Sequence, residues 1–474
     1  MSGKNFFLLS ISAIILLFSQ CKTSDDEEPT GPQTMRDLNV PAGFNYNTSH
    51  NVSVKVIIPE GVPWRTTYVM STDESNTFLK AMPTDSVERS MESYIHIPTY
   101  MDHVLIRYAD GTLCETATVP VVNGSVEHTL TKKKFDATSL SMEVDTDGDH
   151  VIDPEDDYPN DSSRAYNIFY PGGENMKNKG TNVVIPWASY AFEDLWPGYG
   201  DYDFNDVVID FYYMVVVCNT LFHGQYIVEV HPSYKIRAIG ATFENGFGME
   251  MMGIPHEHVA NIQWRYDDGS WSDDFSSLLT EGYVSLRDNN VEDGQDDAVT
   301  IVTDNVENIL PNPGGSSFVN TVQSAPYEPP VTIHLKIEFP WENRPFYGCS
   351  IPWYAYPWTT TALCYDDVNP FIIVDGERGK EVHLPDFPPT DLVNMSYFGT
   401  QNDDSDPATG RYYKSVNNLP WAIDISYSFE YPLEKNDIIF AYPEFVGWAE
   451  SGGSVNPDWY LPEHAEESHV YQVP

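Results

Sequence analysis

The chain has 474 residues with Lys+Arg 25 against Asp+Glu 71, a net charge of −46, or about one uncompensated negative charge per ten residues. That balance excludes nucleic-acid binding by bulk electrostatics, which needs clustered Lys and Arg, and disfavours docking on anionic membrane surfaces. Hydrophobic residues at 41% and aromatics at 14% exclude a disordered acidic chain, and the length corresponds to two or three domains of ordinary size.

Lys4 precedes an apolar run from Phe6 to Phe18, too short to span a bilayer and of the length of a signal-peptide h-region. The run ends at Leu17-Phe18-Ser19-Gln20-Cys21, which resembles a bacterial lipoprotein cleavage box, with Gln20 in place of the usual small residue. The expectation is a signal peptide over residues 1–20 and a lipidated Cys21; the alternative is an ordinary signal peptide cut nearby. An acidic tether follows over 21–35, with Asp25-Asp26-Glu27-Glu28 before Pro29 and Gly31. It resembles the export tag of surface-displayed lipoproteins in Bacteroidetes-type bacteria; the plainer alternative is a solvated spacer. The expected location is therefore the outer membrane, lipid-anchored and exposed at the cell surface. No second long apolar segment appears, so the only expected membrane contact is through lipid.

Residues 36–134 are expected to form an immunoglobulin-like β-sandwich. Asn51-Val52-Ser53-Val54-Lys55-Val56 alternates with period two, as a half-buried strand does, and Tyr94–Ile97 and Val104–Tyr108 read as further strands. Asp110-Gly111 and Asn123-Gly124 are hairpin signals, because type I′ turns need positive φ. Lys132-Lys133-Lys134 closes this domain. From about residue 140 to 465 a larger, mainly β domain of sandwich or jelly-roll type is expected. Val207 to Val217 reads as a central strand covered on both faces, broken by Asp210, and Tyr226–Val230 and Val331–Ile337 as further strands. Convincing long amphipathic helices are absent, as are repeats of 20–50 residues.

Residues 141–161 hold nine acids and no Lys or Arg. In the twelve residues from Asp145 to Asp156, carboxylates stand at Asp145, Asp147, Asp149, Asp153 and Asp156, and the carbonyl of Val151 fills the seventh position. This spacing wraps hard oxygens around Ca²⁺, and without a cation the carboxylates repel one another. His150 stands where an EF-hand has glycine and Asp156 where it has glutamate; with Pro154 and Pro159 following, the loop looks more like the calcium repeats of thrombospondin type 3 and dockerin modules. The alternative is a solvated acidic linker. A second candidate Ca²⁺ set lies in Glu193, Asp194, Asp201, Asp203, Asn205 and Asp206. If that segment is extended, Asp201, Asp203 and Asn205 share one face, with Glu193 or Asp194 returning across a turn at Pro197-Gly198. Here the alternative is turn capping by Asp and Asn. One or two calcium ions are expected in all.

Several stretches together resemble the LruC domain of bacterial surface lipoproteins. They are Asp153–Tyr158 with Pro159-Asn160-Asp161 and Arg164–Asn167, then Phe192–Pro197 and Gly200–Asp206, then Asn369–Ile373, Gly376–Pro385 and Pro388–Asp391, and finally Leu419–Ile423 and Trp448–Gly453. The resemblance covers about residue 140 to 460 and implies a secreted β domain with calcium loops on a lipoprotein; it implies no reaction.

Enzyme signals are weak. His256-Glu257-His258 places two imidazoles on one strand face, but Ala260 stands where a metalloprotease pattern needs its second histidine. No nucleophile elbow, P-loop or dinucleotide fingerprint occurs, so no catalytic residue is assigned. With Cys21 taken by the anchor, Cys114, Cys218, Cys349 and Cys364 remain; Cys349 and Cys364 are the favoured disulfide, with free thiols the alternative. Trp353, Tyr354, Tyr356 and Trp358 form an aromatic cluster able to stack on sugar rings or, alternatively, to pack a core or a loop edge. The sequence thus points to a surface lipoprotein that binds Ca²⁺ and acts in binding or adhesion toward a glycan or protein ligand. Its competitors are a glycan-processing enzyme and a structural subunit of a surface assembly.

Overall fold

The computed structural model describes residues 32–108, 115–131, 144–172, 186–352, 355–357 and 359–474. Cys21, Asp110-Gly111, Cys114, Lys132–Lys134, Trp353, Tyr354 and Trp358 lie outside the described residues. Residues Thr34–Pro474 form one unit. The fold is mainly β.

The first strands are β1 (Ser49–Ile57), β2 (Thr67–Met70), β3 (Thr77–Ala81), β4 (Ser90–Pro98), β5 (His103–Tyr108), β6 (Glu115–Pro120) and β7 (Ser125–Thr129). They make two sheets, of order β4-β1-β7 and β3-β2-β5-β6. In β1 the alternation acts as expected: Val52, Val54 and Val56 are buried, while Asn51, Ser53 and Lys55 face outward. Asn123 and Gly124 both adopt positive φ, 53° and 71°, and Val122 bridges Ser125, so the type I′ turn forms. The hairpin stops there, because β6 pairs with β5 and β7 runs parallel to β1 in the other sheet.

The remaining strands are β8 (Tyr166–Tyr170), β9 (Ala188–Phe192), β10 (Val207–Thr220), β11 (Gly224–Ala238), β12 (Gly246–Pro255), β13 (Asn261–Tyr266), β14 (Asp297–Thr303), β15 (Thr332–Glu338), β16 (Phe346–Tyr347), β17 (Ala362–Leu363), β18 (Val368–Ile373), β19 (Glu381–His383) and β20 (Ala422–Ile425). The main sheet runs β13-β15-β11-β10-β9-β20, with β8 also on β10 and β16-β17 on β11; a four-stranded sheet runs β14-β12-β18-β19. The β-branched run 207–217 does form the central strand, pairing with β11 on one side and with β9 and β8 on the other. Asp210, the polar break in that run, is buried and held by Arg237, Ser189 and Ser428. One apolar core joins the N-terminal sheets to the main sheet, with Val52 and Val69 in the same cluster as Ile209 and Ile333.

Two short helices, α1 (Ile438–Ala441) and α2 (Glu444–Glu450), lie near the C-terminus. Phe445 and Trp448 of α2 build a second core with Trp459, and Met35, Leu38, Val40, Phe44 and Tyr46 join it from the start of the described chain. His256-Glu257-His258 sits in a 3₁₀ turn rather than on a strand face, because Pro255 ends β12.

Candidate metal centres

The loop from Asp145 folds around its own carboxylates. The amides of Gly148 and His150 donate to Asp145 at 2.7 and 3.1 Å, that of Asp149 to Asp147 at 3.3 Å, and that of Val151 to Asp149 at 2.8 Å. Gly148 and His150 hold φ of 81° and 79°. Position six thus adopts the left-handed turn that glycine usually supplies, even with histidine there. Asp145, Asp147 and Asp149 each offer an oxygen within 4.8 Å of the others. The second oxygens of Asp147 and Asp149 are buried and accept no hydrogen bond. Burial, with the charges of Asp156, Asp147 and Asp145 adding, pushes the Asp149 carboxyl up to about 7 against the pull of the Val151 amide.

Asp153 stands apart from this trio: its carboxylate takes the Thr146 amide at 2.8 Å and hydroxyl at 2.7 Å, closing the loop. Asp156 is buried and accepts from the Tyr158 amide at 2.7 Å. Val151 buries its side chain in the main core. Glu155, unassigned from the sequence, reaches across to the Thr66 amide at 3.0 Å and ties the loop to the N-terminal sheets.

The second set forms where β9 ends and β10 begins. The segment 201–206 is not a plain extended strand, since Tyr202 and Phe204 take left-handed φ of 61° and 50° and are buried among the second core. The turn is present, with Gly198 N donating to the Leu195 carbonyl at 2.8 Å, and it returns Glu193 to Asp201 and Asp203. These three offer oxygens within 4.8 Å of one another. Glu193 is fully buried: Oε1 accepts from the Phe204 amide at 2.7 Å and Oε2 has no partner. Asp203 accepts from the amides of Asn205 at 3.2 Å and Lys435 at 2.7 Å. Asn205 donates to the Pro432 carbonyl at 3.0 Å, and its buried Oδ1 has no partner.

Asp194 and Asp206 lie one layer further back. Asp206 accepts from the Asp194 amide at 2.8 Å, and Asp194 from Asn245 at 2.9 Å. They support the cluster without joining its closest oxygens. Burial first, and then their neighbours' charges, push Glu193, Asp203 and Asp206 well above the usual carboxylate range; burial raises Asp194 too. Among the described residues none of these acids forms an ion pair with Lys or Arg. A buried carboxylate without a partner charge costs several kcal/mol, so the cluster needs protons or a cation. The donors are all hard oxygens, the set that Ca²⁺ takes.

A third grouping, Glu444, Asp458 and His464, was not marked in the sequence; it is half-exposed, and the imidazole lies 3.3 and 3.7 Å from the two carboxylates. The motif stretch Gly376–Asp391 builds a buried network instead of a site. Arg378 grips Glu292 through Nε and Nη2, both at 2.5 Å, and also Glu381, whose other oxygen meets His383. Its partners Glu292 and Arg378 are 86 residues apart, so no local pattern could mark them.

Cys349 and Cys364 stand as thiols side by side, both sulfurs within reach of Asn51 Nδ2, at 3.2 and 3.6 Å. The hydrogen bond with Cys349, with burial adding, raises the Cys364 thiol above its usual range. Tyr356 stacks on His223 at 4.3 Å and on Tyr226 at 5.7 Å.

Residues 225–460 match a family described as "Domain of unknown function (DUF4842)". No curated protein matches the chain. A solved structure described as a "Putative lipoprotein from Bacteroides ovatus" is similar over 94% of this chain and 97% of its own, at 16% identity and a TM-score of 0.49. That likeness is too slight to carry any property across.

Proposed function

We propose that this chain is a calcium-binding lipoprotein, tethered to the outer membrane through lipid on Cys21 and displayed at the cell surface, where it acts in binding or adhesion. The observation that carries the calcium reading is the Glu193 cluster. There, buried oxygens of Glu193 and Asn205 without hydrogen-bond partners stand beside Asp201 and Asp203, and none of these acids has a Lys or Arg ion pair among the described residues. The loop at Asp145–Asp149 supports a second ion in the same way. Both lie within the span of about residue 140 to 460 over which the chain resembles an LruC domain, and the domain reading rests on that resemblance. The anchor reading rests on the apolar run before Cys21; among the described residues no helix is long and apolar enough to cross a membrane.

The calcium part is tested by melting the purified protein in excess calcium and in chelator. Chelation is expected to lower the melting temperature by about 5 °C or more, with the calcium-bound value rising as the logarithm of free calcium. A melting temperature indifferent to both overturns it. For the anchor, Cys21→Ser is expected to move the protein from the membrane to the soluble fraction; unchanged membrane retention overturns that part.

A further inference from the structure

The main sheet turns one face to the core and the other away from it. Across the outer face, cross-strand register sets Tyr212 of β10 opposite Ser233 of β11, Ser233 opposite His334 of β15, and His334 opposite Arg265 of β13. The intervening Tyr234, Ile333 and Trp264 point inward and are buried, as the period of two requires. Lys235 lies two residues along from Ser233 on the same face.

A tryptophan borders each side of this row. Trp187, just before β9, meets the Tyr212 ring edge-on at 4.8 Å, and Lys235 Nζ stands 4.0 Å over its indole. Trp271 is carried over the sheet by a return of the chain in which Ser272 and Trp264 exchange backbone hydrogen bonds at 3.0 and 2.9 Å. Arg265 lies 4.9 Å from the Trp271 ring centre. The face thus holds two copies of one unit, an indole with a cation against it, in a chain with only 25 Lys and Arg to 71 acids.

Several acids on and beside this face have partners, though His334 is held neutral by burial and leaves Asp267 its charge. Asp267 binds His334 at 2.8 Å, Glu338 binds Lys336 at 3.2 Å, and Glu229 binds His231 at 2.7 Å. Asp210 is held by Arg237, Ser189 and Ser428. Asp210 stands opposite Lys235 in register and Asp267 adds its charge, but neither Lys235 nor Arg265 closes an ion pair among the described residues; Arg265 spends Nη1 on the Asp267 carbonyl, and its buried Nε has no acceptor. They are two strand spacings apart and offset by two residues along β15, roughly 12 Å, the reach of a short oligosaccharide.

We propose that this face, between Trp187 and Trp271, binds an acidic saccharide, with indole rings against the sugar C–H faces and the sugar carboxylates at Lys235 and Arg265. Guanidinium and ammonium donors give charge-assisted hydrogen bonds to carboxylate, and on this face two of them stand against indole rings. The inference deepens the binding role proposed above but uses no residue of either acidic cluster.

The test titrates the purified full chain with an oligoglucuronate and with a neutral malto-oligosaccharide of equal length, in buffer without added calcium, following tryptophan fluorescence. Saturable quenching by the uronate alone is expected, weakening with salt. Lys235→Gln and Arg265→Gln are each expected to lower affinity about tenfold. Trp187→Ala should lower it at least as much, and Lys55→Gln, on the N-terminal sheet, should leave it unchanged. Unaltered melting temperatures establish that the variants fold. No binding, equal binding of the neutral sugar, or uronate binding indifferent to Lys235→Gln and Arg265→Gln overturns the proposal. Asp149→Asn, which removes no residue of this face, should leave uronate binding intact while weakening calcium binding, so the two readings fail separately.

Discussion

The carboxylate of Glu193 occupies the space where a side chain at residue 200 would begin: a β-carbon on Gly200 would stand 1.6 Å from Glu193 Oε2. Glycine at this point lets the chain close on a buried acid. Gly240 stands to Asn205 in the same way, its β-carbon position 1.9 Å from the unpartnered Oδ1. Gly200→Ala is therefore expected to displace the Glu193 carboxylate from Asp201 and Asp203. Calcium affinity at this site should fall at least tenfold, read by calorimetric titration, and the calcium-dependent rise in melting temperature should shrink.

Glu193→Gln separates a cation site from a mere cluster of protonated acids. In calcium the variant is expected to melt below the wild type, because an anionic ligand is lost. In chelator the order should reverse, because a buried charge without a partner is gone. Scanning calorimetry in the two buffers reads both signs; a variant less stable in both would point to a purely structural role.

For the loop at 145–156, Asp149→Asn is expected to lower the calcium stoichiometry by one per chain and leave the Glu193 cluster loaded. Metal analysis after gel filtration reads the count. Asp153→Asn should change stability more than stoichiometry, since Asp153 closes the loop through Thr146.

Asp424, on β20 beside β9, gives a pH dependence of its own as a member of neither cluster. Burial pushes its carboxyl up to about 7 from 3.8, against the hydrogen bond from Tyr365 at 2.7 Å. A pKa raised on folding means the native state keeps the extra proton between about pH 4 and 7, so stability falls as pH rises through that window. The full penalty, up to about 4 kcal/mol, is present above pH 7. Asp424→Asn keeps an acceptor for Tyr365. It should match the wild type near pH 4 and exceed it in melting temperature by several degrees at pH 8.

Cys349 and Cys364 lie on the paired ends of a loop, next to the parallel match of Phe346 with Ala362 and Tyr347 with Leu363. Exposure to an oxidising thiol–disulfide buffer is expected to join them, with a mass loss of about two hydrogens. Closing a loop of about 15 residues stabilises by about 3 kcal/mol in the chain-entropy account. Thiol titration of the denatured protein before and after oxidation, repeated on Cys349→Ser, checks the pairing.

Strand positions were legible where period two or a β-branched run was long, as in β1 and β10, because burial on one or both faces leaves its mark on consecutive residues. The type I′ turn at Asn123-Gly124 was legible from its φ requirement alone, but not the departure of β7 to another sheet, which depends on partners distant in sequence. At the second cluster the acids could be read and their geometry could not. Left-handed Tyr202 and Phe204 bring Asp201 and Asp203 to Glu193 by a route that no strand pattern encodes. The Glu292–Arg378–Glu381 network and the row from Tyr212 to Arg265 were hidden for the same reason: each is assembled from segments that meet only in the folded sheet.

Calcium ligation by the carboxylates at Glu193–Asp203 and Asp145–Asp149 is the core of the proposed function. Isothermal titration of chelator-stripped protein with calcium, alongside magnesium at the same concentrations, tests it most directly. The expected result is saturable calcium binding with two sites per chain and little heat from magnesium, whose smaller shell resists an all-protein cage. A chain that takes up no calcium under these conditions contradicts it.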